Sequence, residues 1–262
     1  QAVVASKIDF RQLGIVVIDE QHKFGVRQRA LLKQSGHDPH YLVMTATPIP
    51  RTISMTLFGD LDVSILQRTS GVGQKVNTYL GLEKNRDQWW EFFRKKLKEG
   101  RQGFIVAPLV NADDDSELSS AERMFETLAN GPLSEFRLDV LHGKQSAEEK
   151  DIAMQNFVNG KTQAIVATGV VEVGINVPNA TLMTIESAER FGLSQLHQLR
   201  GRVSRGTHPA FVCAFTTTDD PESNQRLTAF ADNDNGFELA EIDLQIRGPG
   251  NLFSTQQSGF PP

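Results

Sequence analysis

The stretch Ala164–Gly206, AIVATGVVEVGINVPNATLMTIESAERFGLSQLHQLRGRVSRG, decides the fold. Two apolar runs within it, Ala164–Ala167 and Ala180–Ile185, have the short, β-branched look of parallel strands buried on both faces. Each is followed by a polar turn and then by a helical pattern. The second helical pattern ends in Gln198, Gly201, Arg202 and Arg205, a Q-x-x-G-R-x-x-R string. Arginines three apart on a helix point to one side. Two guanidiniums aimed one way suit a polyphosphate, because each offers planar, permanently charged donors. A solvated basic helix face is the other reading of the same string.

A chain of 262 residues can hold one large or two small domains, each with a core of its own. The net charge of −5 does not advertise nucleic-acid binding, although a local basic groove can sit on an acidic protein. The single cysteine, Cys213, lies in the apolar run FVCAF and is read as a core residue. One cysteine excludes a disulfide framework and fits a reducing compartment. No apolar stretch is long enough to span a membrane, and no signal peptide is visible. The chain opens on Gln1 rather than Met and is read as a piece of a longer protein.

Working outward, Gly14–Ile18 (GIVVI) reads as a buried strand that ends at Asp19–Glu20. Ligands of open parallel sheets bind outside the carboxyl ends of the strands. An Asp there suits Mg²⁺, and an adjacent Glu can polarise an attacking water. The next strand, Tyr41–Met44, runs into Thr45-Ala46-Thr47-Pro48, whose hydroxyls can meet a carboxylate, a phosphate or a helix start. Gln67–Gln74 (QRTSGVGQ) reads as a linker. Beyond it come a strand at Asn77–Leu82, a helix at Arg86–Gly100 and a strand at Gly103–Val110. A helix at Leu118–Ala129, a strand at Arg137–Leu141 and a helix to about Val158 follow, the last opened by a Ser146/Glu149 capping box. Trp89 and Trp90 are read as core rather than as base-stacking platforms. A strand at Ala210–Phe215, a helix at Pro221–Ala231 and a short amphipathic helix through Leu244 precede a loop forced by Arg247-Gly248-Pro249-Gly250.

Several of these strings share one resemblance. The Asp19-Glu20-Gln21-His22 box after a strand resembles motif II of superfamily-2 helicases, and TATP (Thr45–Pro48) resembles motif III. The fuller strings DEQHKFGVRQR and MTATPIPRTISMTLFGDLDVSIL resemble the RecG branchpoint-helicase family and its relative, the transcription-repair coupling factor. GFIVAPLV resembles motif IV, ATGVVEVGINVPNA motif V, HQLRGRVSRG motif VI, and the tail from Asn235 the translocation (TRG) motif of RecG. The order of the motifs along the chain is the family's order. Asn176 stands where the family usually has Asp, Ser204 where it has Gly, and Asn251 and Ser254 where it tends to have Glu and Gly.

The resemblance implies an α/β fold, a RecA-like parallel sheet of the P-loop NTPase type flanked by helices. Its expected divisions are a partial first RecA-like domain (1–66), a linker (67–74), a second RecA-like domain (75–220) and a helical hairpin with a loop (221–262). It implies an ATP-dependent DNA helicase of the bacterial cytoplasm that remodels stalled forks and Holliday junctions in repair and recombination. In this scheme Asp19 helps to hold Mg²⁺ and Glu20 orients water, within a catalytic set that includes Gln21, His22 and Gln198. Arg202 and Arg205 act as arginine fingers on ATP, beside Gly174 and Asn176. Thr45, Thr47, His142, Lys144, Thr168, Gly169, Arg247 and Gln257 contact DNA or couple it to the nucleotide. No G-x-x-x-x-G-K-[ST] string occurs in the 262 residues, so the chain alone is expected to be inactive. Two other functions are weighed: a coupling-factor translocase and a non-catalytic interaction module. The exposed strand edge of a partial sheet is expected to favour self-association.

Overall fold

The computed structural model describes residues 13–19, 39–45, 62–66, 76–107, 114–168, 177–203, 206–218 and 220–247, with the backbone alone at 114–119 and 247. The chain divides into two compact units, Gln1–Pro48 and Ile49–Pro262.

In the first unit, strands β1 (Ile15–Asp19) and β2 (His40–Met44) pair in parallel, from Ile15 opposite His40 to Asp19 opposite Met44. The expected strand at 14–18 is present, displaced by one residue, but it is not buried on both sides. Val16 and Ile18 are buried while Ile15 and Val17 are exposed, the period-two alternation of a strand with one covered face.

The second unit is a six-stranded sheet in the order β3-β8-β7-β4-β6-β5, parallel throughout. Its elements in chain order are β3 (Val76–Gly81), α1 (Arg86–Lys98), β4 (Gln102–Ala107), α2 (Asp114–Ala129), β5 (Leu138–Leu141), α3 (Ala147–Val158) and β6 (Ala164–Thr168). Then come β7 (Ala180–Ile185), α4 (Leu193–Val203), β8 (Ala210–Phe215), α5 (Pro221–Asp232) and α6 (Gly236–Arg247).

Every residue of β4, β6 and β7 is buried, as continuous apolar strands in a doubly covered sheet must be. Alternate side chains serve opposite faces. Ile105, Val166, Leu182, Cys213 and Phe215 meet Trp89, Trp90, Phe93 and Leu97 of α1 and Leu128 of α2. Val106, Ile165, Met183 and Val212 meet Phe157 of α3, Leu196 and Leu199 of α4, Phe230 of α5 and Leu239 of α6. The reading of Cys213 and the two tryptophans as core is borne out. Trp89 also donates its indole N–H to Thr184 Oγ1 at 2.8 Å, so its polar atom is not stranded in the apolar layer.

Two helix starts are chemically defined. The Ser146 hydroxyl accepts the Glu149 N–H, and the Glu149 carboxylate accepts the Ser146 N–H, so the expected capping box is present. At α5, the Asp220 carboxylate accepts the Ser223 N–H at 2.8 Å ahead of Pro221. That bond holds the Asp220 carboxyl below its ordinary range.

Gly103 on β4 lets α1 approach the sheet. A Cβ at that position would lie 2.4 Å from Phe93 Cζ and 3.1 Å from Leu182 Cβ. Phe93 is fully buried and has nowhere to retreat. Gly103→Ala is therefore expected to destabilise the fold by about 2 kcal/mol through overpacking, measured as a lowered urea midpoint with unchanged slope.

Candidate functional site

All six strands of the second unit end on the same edge of the sheet, as parallel strands must. β4 hands on to α2 on one face, whereas β7 hands on to α4 on the other. Strands whose connections leave to opposite faces open a crevice at their carboxyl ends. Thr168 closes β6 at this edge, buried and paired in register with Ala107 of β4. His142 follows β5 at the same edge. The first unit shows the same arrangement on its own smaller scale. Asp19 is exposed at the carboxyl end of β1, and Thr45 follows its register partner Met44 on β2. The structure thus brings Asp19 and Thr45 to adjacent strand ends.

The turn after β5 is braced from within. Gln145 accepts the His142 N–H at 3.1 Å and donates to the Val140 carbonyl at 3.1 Å. Lys150 reaches back to the Gly143 carbonyl at 3.0 Å. This leaves Lys144 exposed at the tip. The His142 imidazole turns inward instead: its Nε2 lies 4.0 Å from a Glu122 carboxylate oxygen on α2, and its Nδ1 is buried without a hydrogen-bond partner.

Helix α4 lays Leu193, Leu196, Leu199 and Val203 on the sheet. Gln198 and Arg202, four apart, share one side of the helix, and both are half-buried. The described helix ends at Val203. Arg205 lies outside the described residues, as do Glu20, Gln21, His22, Thr47, Gly169, Gly174, Asn176, Ser204 and Gln257. Arg247 is the last residue of α6, where the backbone alone is described. One contact fixes the exit of the arginine string. A Cβ on Gly206 would lie 2.2 Å from the Pro178 carbonyl oxygen, so position 206 rests directly on the backbone that leads into β7.

Two charged groups in this region escaped the sequence reading. Arg200, 3% exposed, donates to the carbonyls of Phe230 and Asn233 at 2.7 Å each. Burial lowers its pKa from the ordinary arginine value, and Asp234 at 3.6 Å partly opposes this. A signal was available: position 200 is four residues beyond Leu196 and three short of Val203, inside the apolar stripe of the helix. The second group is Glu186, which directly follows β7 and is 5% exposed. Arg86, at the start of α1, grips it with two parallel bonds of 2.7 and 3.0 Å and sets its guanidinium 4.4 Å over the Phe215 ring. The bond to Glu186 is the largest cause of a raised Arg86 pKa. No local sequence pattern joins residues 100 apart. The next residue, Ser187, takes a left-handed backbone (φ 48°), which turns the chain from the strand end toward α4.

Comparison with known proteins agrees with this geometry. The family model "Helicase conserved C-terminal domain" matches residues 87–207, and "ATP-dependent DNA helicase RecG, domain 3, C-terminal" matches residues 233–261. The second unit is therefore a helicase C-terminal domain of the RecA-like type. The curated ATP-dependent DNA helicase RecG of Synechocystis sp. is 44% identical over 99% of this chain and 31% of its own length. That of Bacillus subtilis is 42% identical over 99% of this chain and 38% of its own. A solved structure described as RecG bound to a three-way DNA junction superposes with TM-score 0.76 at 40% identity, over 96% of this chain and 32% of that one. The chain is homologous to RecG helicases over 99% of its length. It spans about a third of the length of these relatives, in their C-terminal part. Among the described residues no helix is long and apolar enough to cross a membrane.

Two outcomes are expected. Arg86→Ala leaves Glu186 buried and unpaired, at a cost of about 3 kcal/mol, whereas Arg86→Met with Glu186→Leu recovers most of it; a double-mutant cycle in denaturant measures both. Burial pushes the Cys213 thiol up to about 12. The folded protein should therefore resist iodoacetamide near neutral pH and react promptly once denatured.

Proposed function

We propose that this chain is the C-terminal motor portion of an ATP-dependent helicase that remodels branched duplex DNA, stalled forks and Holliday junctions among them, in the bacterial cytoplasm. The observation that carries the reading is the 44% identity to a RecG helicase over 99% of the chain, with the helicase strings at the strand ends where a RecA-like fold binds its ligands. The match of the RecG domain 3 model to residues 233–261 favours this family over the coupling factor.

In this reading residues 1–66 are the C-terminal half of a first RecA-like domain and 75–220 the second, joined by 67–74, with 221–262 as the translocation element. ATP is the substrate, and Mg²⁺ accompanies it. The Asp19 position fits the ion: an exposed carboxylate at a parallel strand end, beside a threonine, is the kind of single oxygen ligand that Mg²⁺ takes alongside substrate phosphates and water. The bound ion would supply charge neutralisation for phosphoryl transfer.

The chain's own residues divide the remaining work. Glu20 orients the attacking water, with Gln21, His22 and Gln198 around the nucleotide. Arg202 and Arg205 place fixed positive charge where the phosphoryl group gains negative charge in the transition state. Gly174 and Asn176 line the nucleotide from the segment that ends at Pro178. Thr45, Thr47, Thr168 and Gly169 relay strand-end movements to DNA. Lys144 on its braced turn, the backbone near His142, and Arg247 and Gln257 in the tail meet phosphates. The 262 residues contain no phosphate-binding G-x-x-x-x-G-K-[ST] loop, so turnover needs that loop from outside them.

The test is ATP hydrolysis by the protein at the full length of its relatives, with and without a three-way DNA junction. Stimulation by the junction is expected, and Arg205→Ala should lower kcat by about a thousandfold. Absence of hydrolysis in the unmutated protein would overturn the reading in favour of a binding module.

A further inference from the structure

The first turn of α1 is registered on the end of β7 by two polar contacts. Trp89 donates its indole N–H to Thr184 Oγ1 at 2.8 Å, and Arg86 donates from both terminal nitrogens to the Glu186 carboxylate at 2.7 and 3.0 Å. Thr184 and Glu186 are two residues apart, so an extended chain presents both on the side that faces α1. Strand β8 lies between β7 and β3, the strand that leads into α1. Its last residue, Phe215, sits under the Arg86 guanidinium. On its backbone side, the Glu186 N–H donates to the Val106 carbonyl of β4. Glu186 is therefore where the ends of β3, β8, β7 and β4 are tied together. Arg86 Nε goes to the exposed Glu83 at 2.9 Å, so each nitrogen of this guanidinium is engaged within the fold. The next residue, Ser187, is the one non-glycine residue with a positive φ, 48°, among the described residues. A serine holds that conformation only where its surroundings impose it. From this turn the chain enters α4 at Leu193, the helix that carries Gln198 and Arg202.

We propose that Arg86 and Glu186 are positioning residues for ATP hydrolysis: their paired contact imposes the left-handed turn at Ser187 and so fixes where α4 presents Gln198 and Arg202. The inference rests on the helicase reading above, which gives those two side chains their work. The use of a charged pair has a physical reason. Two apolar side chains would fill the same space with little loss of stability, but they would fix no orientation. A planar guanidinium on a carboxylate fixes orientation as well as position.

The test uses the full-length protein carrying Arg86→Met with Glu186→Leu, alone and with Ser187→Gly added. The first variant is expected to keep a urea midpoint near that of the unmutated protein, while kcat for junction-stimulated hydrolysis falls about tenfold and KM for ATP stays within about threefold. Adding Ser187→Gly should bring kcat back to within about threefold, because glycine takes a positive φ without steric cost. A lesion that merely loosens the fold would be made worse by a glycine, not repaired. Amide exchange, which needs no activity, should rise about tenfold across residues 187–193 in the first variant while β4 and β6 keep their protection. Should that variant unfold, Arg86→Lys is measured in its place. It keeps the charge without the fork, and the same fall in kcat, with the same repair by Ser187→Gly, is expected. An unchanged kcat, a fall that Ser187→Gly does not repair, or unchanged exchange across 187–193 overturns the proposal. If the unmutated protein fails to hydrolyse ATP, the helicase reading falls, and the exchange experiment still decides whether the pair holds the turn.

Discussion

A parallel sheet covered on both faces confines polar chemistry to its two edges. Within β4, β6 and β7 every side chain is buried, and any polar atom there must find a partner or be expensive. The amino-end edge meets this condition with amides. Gln102 donates to the carbonyls of Phe157 and Thr162 at 2.6 and 2.8 Å and accepts from Asn179, which in turn donates to Gly100. Those bonds tie the starts of β4 and β7 to the end of α3, and Arg101 donates to the Asn179 side-chain oxygen at 3.0 Å beside them. The carboxyl-end edge is different in kind. Its buried groups include a charged pair, Arg86 and Glu186, and its turns carry Thr168, His142 and Lys144. The amino-end edge is thus held largely by amides and the carboxyl-end edge by a buried ion pair.

The charged pair also explains how a strand end at the sheet's carboxyl edge can be rigid. Two parallel bonds from a planar guanidinium fix the Glu186 carboxylate in orientation as well as position. The Glu186 N–H donates to the Val106 carbonyl at 3.0 Å, so the backbone is held from its other side. Only then does Ser187 adopt its left-handed turn into α4. Such a conformation costs an L-residue on the order of 1 kcal/mol and persists where the surroundings over-determine it. Here the anchored residue before it and the packed helix after it do so.

Sequence periodicity carried most of the fold because strands buried on both faces are continuous apolar runs and helices carry visible stripes. Ala180–Ile185 and Ala210–Phe215 were legible to the residue. The boundaries that slipped were those set by long-range contact: β4 begins at Gln102, a polar residue that reads as a turn until its three amide partners are known. Motif strings located the strand ends but not the forces that hold them. Arg200 was hidden by its company. In a string whose neighbours are read as phosphate ligands, a third arginine looks like more of the same. Arg86 and Glu186 were hidden by distance, since an ion pair across 100 residues leaves no local pattern.

The cost of burying Arg200 argues that its place is specified rather than incidental. Burial already pulls its pKa down, which means the charged form is disfavoured by its surroundings. A leucine there would continue the stripe of Leu196, Leu199 and Val203 and pack against Phe230. It would also strand the Phe230 and Asn233 carbonyls at a helix end with no donor. The two requirements, an apolar stripe and two orphan carbonyls, are met together only by a side chain with a long aliphatic stem and a flat donor fork. The same property makes the contact directional. Hydrophobic packing between α4 and α6 would tolerate sliding by a fraction of a turn, whereas two bonds of 2.7 Å to two different carbonyls do not. A register fixed in this way holds the middle of α4 against the α5–α6 corner.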